Sequence, residues 1–192
     1  GEIGMIPDYG EKLIDGGLEA WASPTNLTYW DESIGGTSSI NRESTTKHGG
    51  SYAARLDIDA SNSVAQIWQN IIVKPDTWYR VSFWYLTAAG KSVCAFARVT
   101  IGGAYHFLHA DGTWKAYAPP FSMHYTGALA STSWAQHVFY FKTPSEMDSA
   151  WLRFGIFSLS AASSSIYLDD VSLVGLGAPI SYGKTYRRLD GV

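Results

Sequence analysis

With 192 residues, 46% of them hydrophobic and only 16% charged, the chain has ample material for a core and no sign of general disorder; the length suits one large β domain or, as the alternative, two small ones. A net charge of −3 and the lack of a large Lys/Arg cluster argue against nucleic acid as the main ligand. No apolar run approaches the roughly 20 residues of a membrane span, so no membrane partner is expected, and Cys94, the one cysteine, excludes an internal disulfide and permits either redox compartment.

Residues 1–12 carry Pro7, Gly10 and mixed charges and read as a lead-in. Leu13 to Trp21 reads as a short strand with a glycine kink at Gly16-Gly17. The Ser/Gly-rich stretch from Trp30 to Ile40 gives a weak strand signal, Thr45 to Gly50 a turn, and Ser51 to Ile58 the next strand. Alternation then becomes clear. In 66–73, Ile67, Gln69, Ile71 and Val73 share one parity and Gln66, Trp68 and Asn70 the other. Lys74-Pro75-Asp76-Thr77 turns the chain, with Pro setting φ at a corner. In 78–86, Tyr79, Val81, Phe83 and Tyr85 alternate with Trp78, Arg80, Ser82 and Trp84. Val93 to Ile101 is a strand of small residues, broken by Gly102-Gly103, and Asp111-Gly112 is a strong hairpin dipeptide. Residues 115–132, with Pro119-Pro120, have no period, and long ordered segments of this kind are more often functional than decorative. Two further strands follow at 134–142 and 151–159; in the latter Leu152, Phe154 and Ile156 oppose Trp151, Arg153 and Phe157. The tail 175–192, with Lys184, Arg187 and Arg188, reads as a linker to other domains of a longer chain.

The strand from Ser164 to Leu173 has a fault. Ile166 and Leu168 would share one face and Val171 and Leu173 the other, so the apolar phase flips across Asp169-Asp170. Either both faces are covered or a bulge sits at the two carboxylates; the plainer alternative is a strand end or sheet edge with solvated acids. About nine short strands, Gly/Pro/Asp turns and no convincing helix make the expected class an all-β, two-sheet antiparallel sandwich.

The core parity is aliphatic and Phe, whereas the opposite parity pairs Trp with amides or Arg. Burying one such ring is worth roughly 1.5–3 kcal/mol, so rings left outside are either covered by loops such as 102–132 or used. Flat rings beside Gln, Asn and Arg suit sugars: C–H faces stack, and hydroxyls take in-plane bonds. Trp68 and Trp151 are better candidates than Trp78 and Trp84, because consecutive strands often lie in different sheets. Catalytic constellations are missing from the sequence pattern. His106 and His109 would point to opposite faces, no nucleophile elbow or phosphate loop occurs, and Glu19 has no acid partner at glycosidase spacing. Acids that converge in space stay open as an alternative.

Five pieces in order resemble a known family. Asp15-Gly16-Gly17-Leu18-Glu19 with Trp21, Gly49-Gly50-Ser51-Tyr52-Ala53-Ala54-Arg55-Leu56, the run Gln69 to Trp84, Phe141-Lys142-Thr143-Pro144, and Ile166 to Val171 are similar to the jelly-roll carbohydrate-binding modules of families 4, 9, 16 and 22 over residues 13–174. His109 to Trp114 and the tail Tyr186 to Gly191 also resemble domains of phage tail and appendage proteins. The resemblance implies a jelly roll that binds polysaccharide or oligosaccharide without catalysis, outside the cell or on a virion, and as a homo-oligomer if it belongs to a phage appendage. It implies a structural calcium held by Gly17, Glu19, the backbone near Tyr52, and Asp169, with Asp170 outward and solvated. Calcium accepts such oxygen ligands, although Lys47, His48 and Gly49 stand where some members place an acid. The parity argument points to Gln66, Trp68, Asn70, Trp151, Arg153 and Phe157 for the sugar, and the resemblance also implies Arg153; Tyr105, Trp114 and Tyr117 are further candidates from the 102–132 segment, which the resemblance does not share in detail.

Overall fold

The computed structural model describes residues 8–59, 64–116, 128–158 and 163–177. Fourteen strands appear among them: β1 (Tyr9–Glu11), β2 (Trp21–Ser23), β3 (Asn26–Leu27), β4 (Asp31–Ile34), β5 (Ser39–Glu43), β6 (Ala53–Ile58), β7 (Ala65–Ile72), β8 (Trp78–Thr87), β9 (Val93–Ile101), β10 (Ala104–Leu108), β11 (Trp114–Ala116), β12 (Ala135–Lys142), β13 (Trp151–Ser158) and β14 (Ser164–Gly177). One sheet runs β12-β8-β14-β6-β5, with β1 added along the far half of β14. The other runs β11-β10-β9-β13-β7-β4, and β2-β3 form a small ribbon. All pairings are antiparallel, as expected of a two-sheet sandwich.

The alternation read in the sequence sets the layers. Ile67, Ile71, Leu152, Phe154 and Ile156 from one sheet meet Tyr79, Val81, Phe83, Phe141, Leu56 and Ile166 from the other in a single buried core. Asp111-Gly112 closes the β10–β11 hairpin, where Gly112 takes a positive φ of 82° and donates its N–H to the His109 carbonyl at 2.9 Å.

Two stretches differ from expectation. Leu13 to Ala20 is not a strand. Asp15 and Leu18 take positive φ, and the Asp15 carboxylate accepts the Glu19 and Ala20 N–H groups at 2.9 and 3.0 Å, which curls the segment into a turn. The sheet also extends past both expected boundaries. Tyr9, Gly10 and Glu11 pair with Leu176, Gly175 and Val174, so part of the lead-in and the start of the tail are strand.

The phase flip in β14 is a bulge. Asp169 pairs with Trp84 and Ser172 with Ser82, leaving two residues opposite Phe83, and Asp170 takes φ 46°. The extra residue returns Val171 and Leu173 to the same buried side as Ile166 and Leu168. The bulge is satisfied from elsewhere in the chain: the Val171 N–H donates to the Gly16 carbonyl at 2.8 Å, and a Cβ on Gly16 would overlap the Val171 carbonyl oxygen. Asp169 is fully buried. Its Oδ2 accepts the His48 and Gly49 N–H groups at 2.8 and 3.0 Å, and its Oδ1 accepts the Asp170 N–H at 2.8 Å. Burial pushes this carboxyl above the usual range, against the N–H bonds of Gly49 and His48 that pull it down. Asp169→Asn keeps the shape but turns an NH2 group toward at least one of these donors. We expect it to lower unfolding free energy by about 1–3 kcal/mol in a denaturant titration; a loss near zero would show that the three bonds do not hold the bulge.

Candidate functional site

The outer face of the β11-β10-β9-β13-β7-β4 sheet gathers most of the predicted sugar contacts. Register places Asn70 beside Arg153 and Arg153 beside Arg98 across β7, β13 and β9. Along the strands the next rows hold Trp68, Gly155 and Phe96 on one side and Trp151 on the other, about 7 Å per two residues. Gly155 matters to this surface: a Cβ there would run into the Phe96 ring, so the missing side chain lets that ring lie across the sheet.

The rings have unequal roles. Trp151 is 53% exposed. Trp68 is half-buried, packs against a cluster of Cys94, Phe96, Phe107 and Phe157, and carries the Arg153 guanidinium 3.5 Å above its ring. One face of Trp68 is therefore taken by a cation. Arg153 Nε also donates to Asn70 Oδ1 at 3.1 Å, which fixes both side chains. Tyr105, 54% exposed, lies on the same face by its register with Thr100 and bears the Arg98 guanidinium 3.8 Å from its ring centre. Phe157 is buried and stacks at a tilt on Phe96, so it forms floor, while Gln66 sits beside it in register at the far end of the face.

Trp114 does not join them. It pairs in register with Leu108, a core residue, so it points inward; its Nε1 donates to the Lys142 carbonyl at 2.9 Å and its ring meets Phe141 edge-on. Trp84, on the other sheet, stacks on His48 with ring centres 3.7 Å apart. Tyr117, with the rest of 117–127, lies outside the described residues.

Ile14, Tyr29 and Asp31, near the sheet edge, were not singled out from the sequence. β4 stops pairing β7 at Asp31, opposite Trp68. Beyond that point a cleft of about 420 Å3 opens, lined by Ile14, Tyr29, Asp31, Gln69, Asn70 and Trp151. Gln69 fixes its floor: its amide accepts the Ile14 N–H at 3.1 Å and donates to the Ile14 carbonyl at 2.7 Å. Arg98 was missed as well, although its parity with Phe96 within β9 places it on the outer face.

The residues expected to hold calcium meet at the β14 bulge, but the groups turned toward their carboxylates are N–H donors. Glu19 Oε1 accepts the Ser51 and Tyr52 N–H groups at 2.9 and 3.2 Å, and Oε2 lies 3.1 Å from the Ser51 N. Tyr52 bonds Glu19 through its N–H, and Asp169 accepts three N–H groups as described above. Gly17 lies beside Glu19 and Asp170, and a Cβ on Gly50 would overlap Glu19 Oε1. Asp170 is not simply solvated: its Oδ2 lies 2.6 Å from His48 Nδ1. Among the described residues, no three His, Cys, Asp or Glu side chains gather as a metal-binding group. In this arrangement the carboxylates of Glu19 and Asp169 face N–H donors, whereas a cation would need their oxygens turned toward it.

No protein-family model matches the sequence, and no curated protein matches it. Solved structures do. The Family 16 Carbohydrate Binding Module-2 superposes with a TM-score of 0.55 at 18% identity, over 84% of this chain and 98% of that one. The module TmCBM61, in complex with β-1,4-galactotriose, gives 0.51 at 18% identity, over 85% and 97%. The enzymatically active domain of tailspike protein 4 from bacteriophage CBA120 gives 0.61 at 15% identity, over 86% of this chain but 21% of that one. These likenesses are of fold, and with the two antiparallel sheets they make the chain an all-β jelly-roll sandwich with the fold of carbohydrate-binding modules.

Proposed function

We propose that the chain binds a polysaccharide or oligosaccharide without catalysis, on the outer face of the β11-β10-β9-β13-β7-β4 sheet, as part of a longer extracellular or virion-associated protein. The observation that carries this reading is the exposed Trp151 beside the bonded Asn70–Arg153 pair at the mouth of the 420 Å3 cleft. An open ring offers a stacking plane, and side chains held by each other offer donors and acceptors at low entropic cost. Neighbours of the same fold are named as carbohydrate-binding modules, one of them with a bound galactotriose. Trp68, with a guanidinium on its ring, acts here as support for Arg153.

Affinity electrophoresis against a panel of neutral and charged polysaccharides tests the reading. Retention by at least one polymer is expected, and Trp151→Ala should weaken it about tenfold or more, the worth of one buried ring. Failure of every polymer to retard the chain would end the carbohydrate reading. The tailspike likeness favours one competitor, a structural or receptor-adhesion domain of a virion appendage whose exposed rings contact other subunits. In that case Trp151→Ala would change the mass in solution instead of retention. Turnover of a retained polymer by the isolated chain would overturn the non-catalytic part.

The N–H bonds that Glu19 and Asp169 accept support a seam that holds without calcium. The melting temperature is expected to be the same in added calcium and in chelator. A clear fall on chelation would restore a structural metal, because a ion bound to the native state alone stabilises it by mass action.

A further inference from the structure

Arg98 and Arg153 are direct cross-strand neighbours on β9 and β13. Each guanidinium lies on an aromatic ring, Arg98 on Tyr105 and Arg153 on Trp68. Like charges placed opposite each other on a sheet cost stability, and among the described residues neither guanidinium forms an ion pair. Neither Asp148 nor Asp31 neutralises them. Asp148 accepts the Gly102 and Gly103 N–H groups at 2.7 Å each, and Asp31 sits on β4 in the row of Trp68 without bonding either arginine. Lys115, in the same row beyond Phe107, is occupied by Asp111 at 3.2 Å. Arg153 uses its Nε on Asn70, which leaves its terminal N–H edge; the Arg98 side chain has no hydrogen bond among the described residues.

We propose that this arginine pair is an anion-binding element and that the carbohydrate taken by the face is acidic, a glycan carrying carboxylate or sulfate groups. The proposal rests on the carbohydrate-binding reading above and names its ligand class. Guanidinium forks match the oxygens of carboxylate and sulfate in bidentate fashion, and the rings beneath hold both forks before ligand arrives. An oxyanion between them would remove the repulsion that the free protein carries. Consistent with that repulsion, burial first and the Arg153 charge second lower the Arg98 proton affinity.

The test compares retention of the whole chain by polygalacturonate, by the same polymer fully methyl-esterified, and by dextran sulfate, at low and high salt. Polygalacturonate or dextran sulfate should bind at least about tenfold more tightly than the ester, and salt should weaken that binding. The two charged polymers distinguish a carboxylate-directed from a sulfate-directed pair, and preference for either supports the proposal. Arg98→Gln should cost about tenfold on the acidic polymer and little on the neutral one, while Arg153→Gln, which also breaks the bond to Asn70, should cost at least as much on the acidic polymer. Arg98→Lys, which keeps the charge and loses the fork, should fall between. Arg80→Gln, an equal charge change on the other sheet, should bind as the parent does. Equal retention of acidic and esterified polymer by the parent chain overturns the proposal and leaves the carbohydrate reading intact. So does an equal loss in Arg80→Gln, which would mark generic charge attraction. Retention of none of the panel, neutral or charged, removes both. The ester comparison uses the unaltered chain and stands even if a variant fails to fold.

Discussion

A carboxylate without water organises this fold. Asp169 is fully buried in the middle of the longest strand, and its ionised form is tolerable only because three backbone N–H groups converge on it. Two of those donors belong to the turn at His48-Gly49, more than a hundred residues earlier in the chain. The same turn region offers the Ser51 and Tyr52 N–H groups to Glu19, and Gly16 receives the Val171 N–H released by the bulge. Three distant segments thus share one set of hydrogen bonds. Their glycines follow from this: at Gly16 and Gly50 a side chain would occupy space already held by the Val171 carbonyl and the Glu19 carboxylate.

The consequence for the other sheet is indirect but physical. With β14 fixed between β8 and β6, the core residues of both sheets are held in register, and the outer face of the second sheet can carry groups that add little to stability. On that face aromatic rings are used in two ways. Phe96, Phe107 and Phe157 bury one another, while Trp68 and Tyr105 act as plates under guanidinium groups. Trp151 alone of the predicted tryptophans presents itself to solvent on this face. Rigid cations beside an open ring are a more restrictive recognition surface than a row of bare rings, because they select ligand charge as well as shape.

Much of this was legible in the sequence wherever strands alternate cleanly. Ile67, Gln69 and Ile71 on β7, Val73 just past its end, and Leu152, Phe154 and Ile156 on β13 fall inward as their parity requires. The broken phase at Asp169-Asp170 left a bulge as one of three readings, and the structure has it: an inserted residue restores Val171 and Leu173 to the core side. Legibility ended where lateral neighbours decide. Parity put Trp68 outside but could not say that Arg153, from another strand, would lie on its ring. Trp114 followed an irregular stretch, and only its register with Leu108 turns it inward. Arg98 stood in a strand of small residues whose covering side was not evident. Leu13 to Ala20 looked extended, yet a single carboxylate at Asp15 supplies two backbone bonds that favour a turn.

Cys94 lies fully buried beneath the arginine-bearing face, in the cluster with Phe96, Phe107 and Phe157. Its thiol has no second cysteine to meet anywhere in the chain. Reagents and oxidants react with thiolate, which forms poorly in apolar surroundings, so the sulfur becomes reactive only when this patch opens. The fold is therefore indifferent to the redox poise around it. The rate at which Cys94 yields to a thiol reagent is a clock for local opening of the outer face, read at one atom and without any label added to the surface.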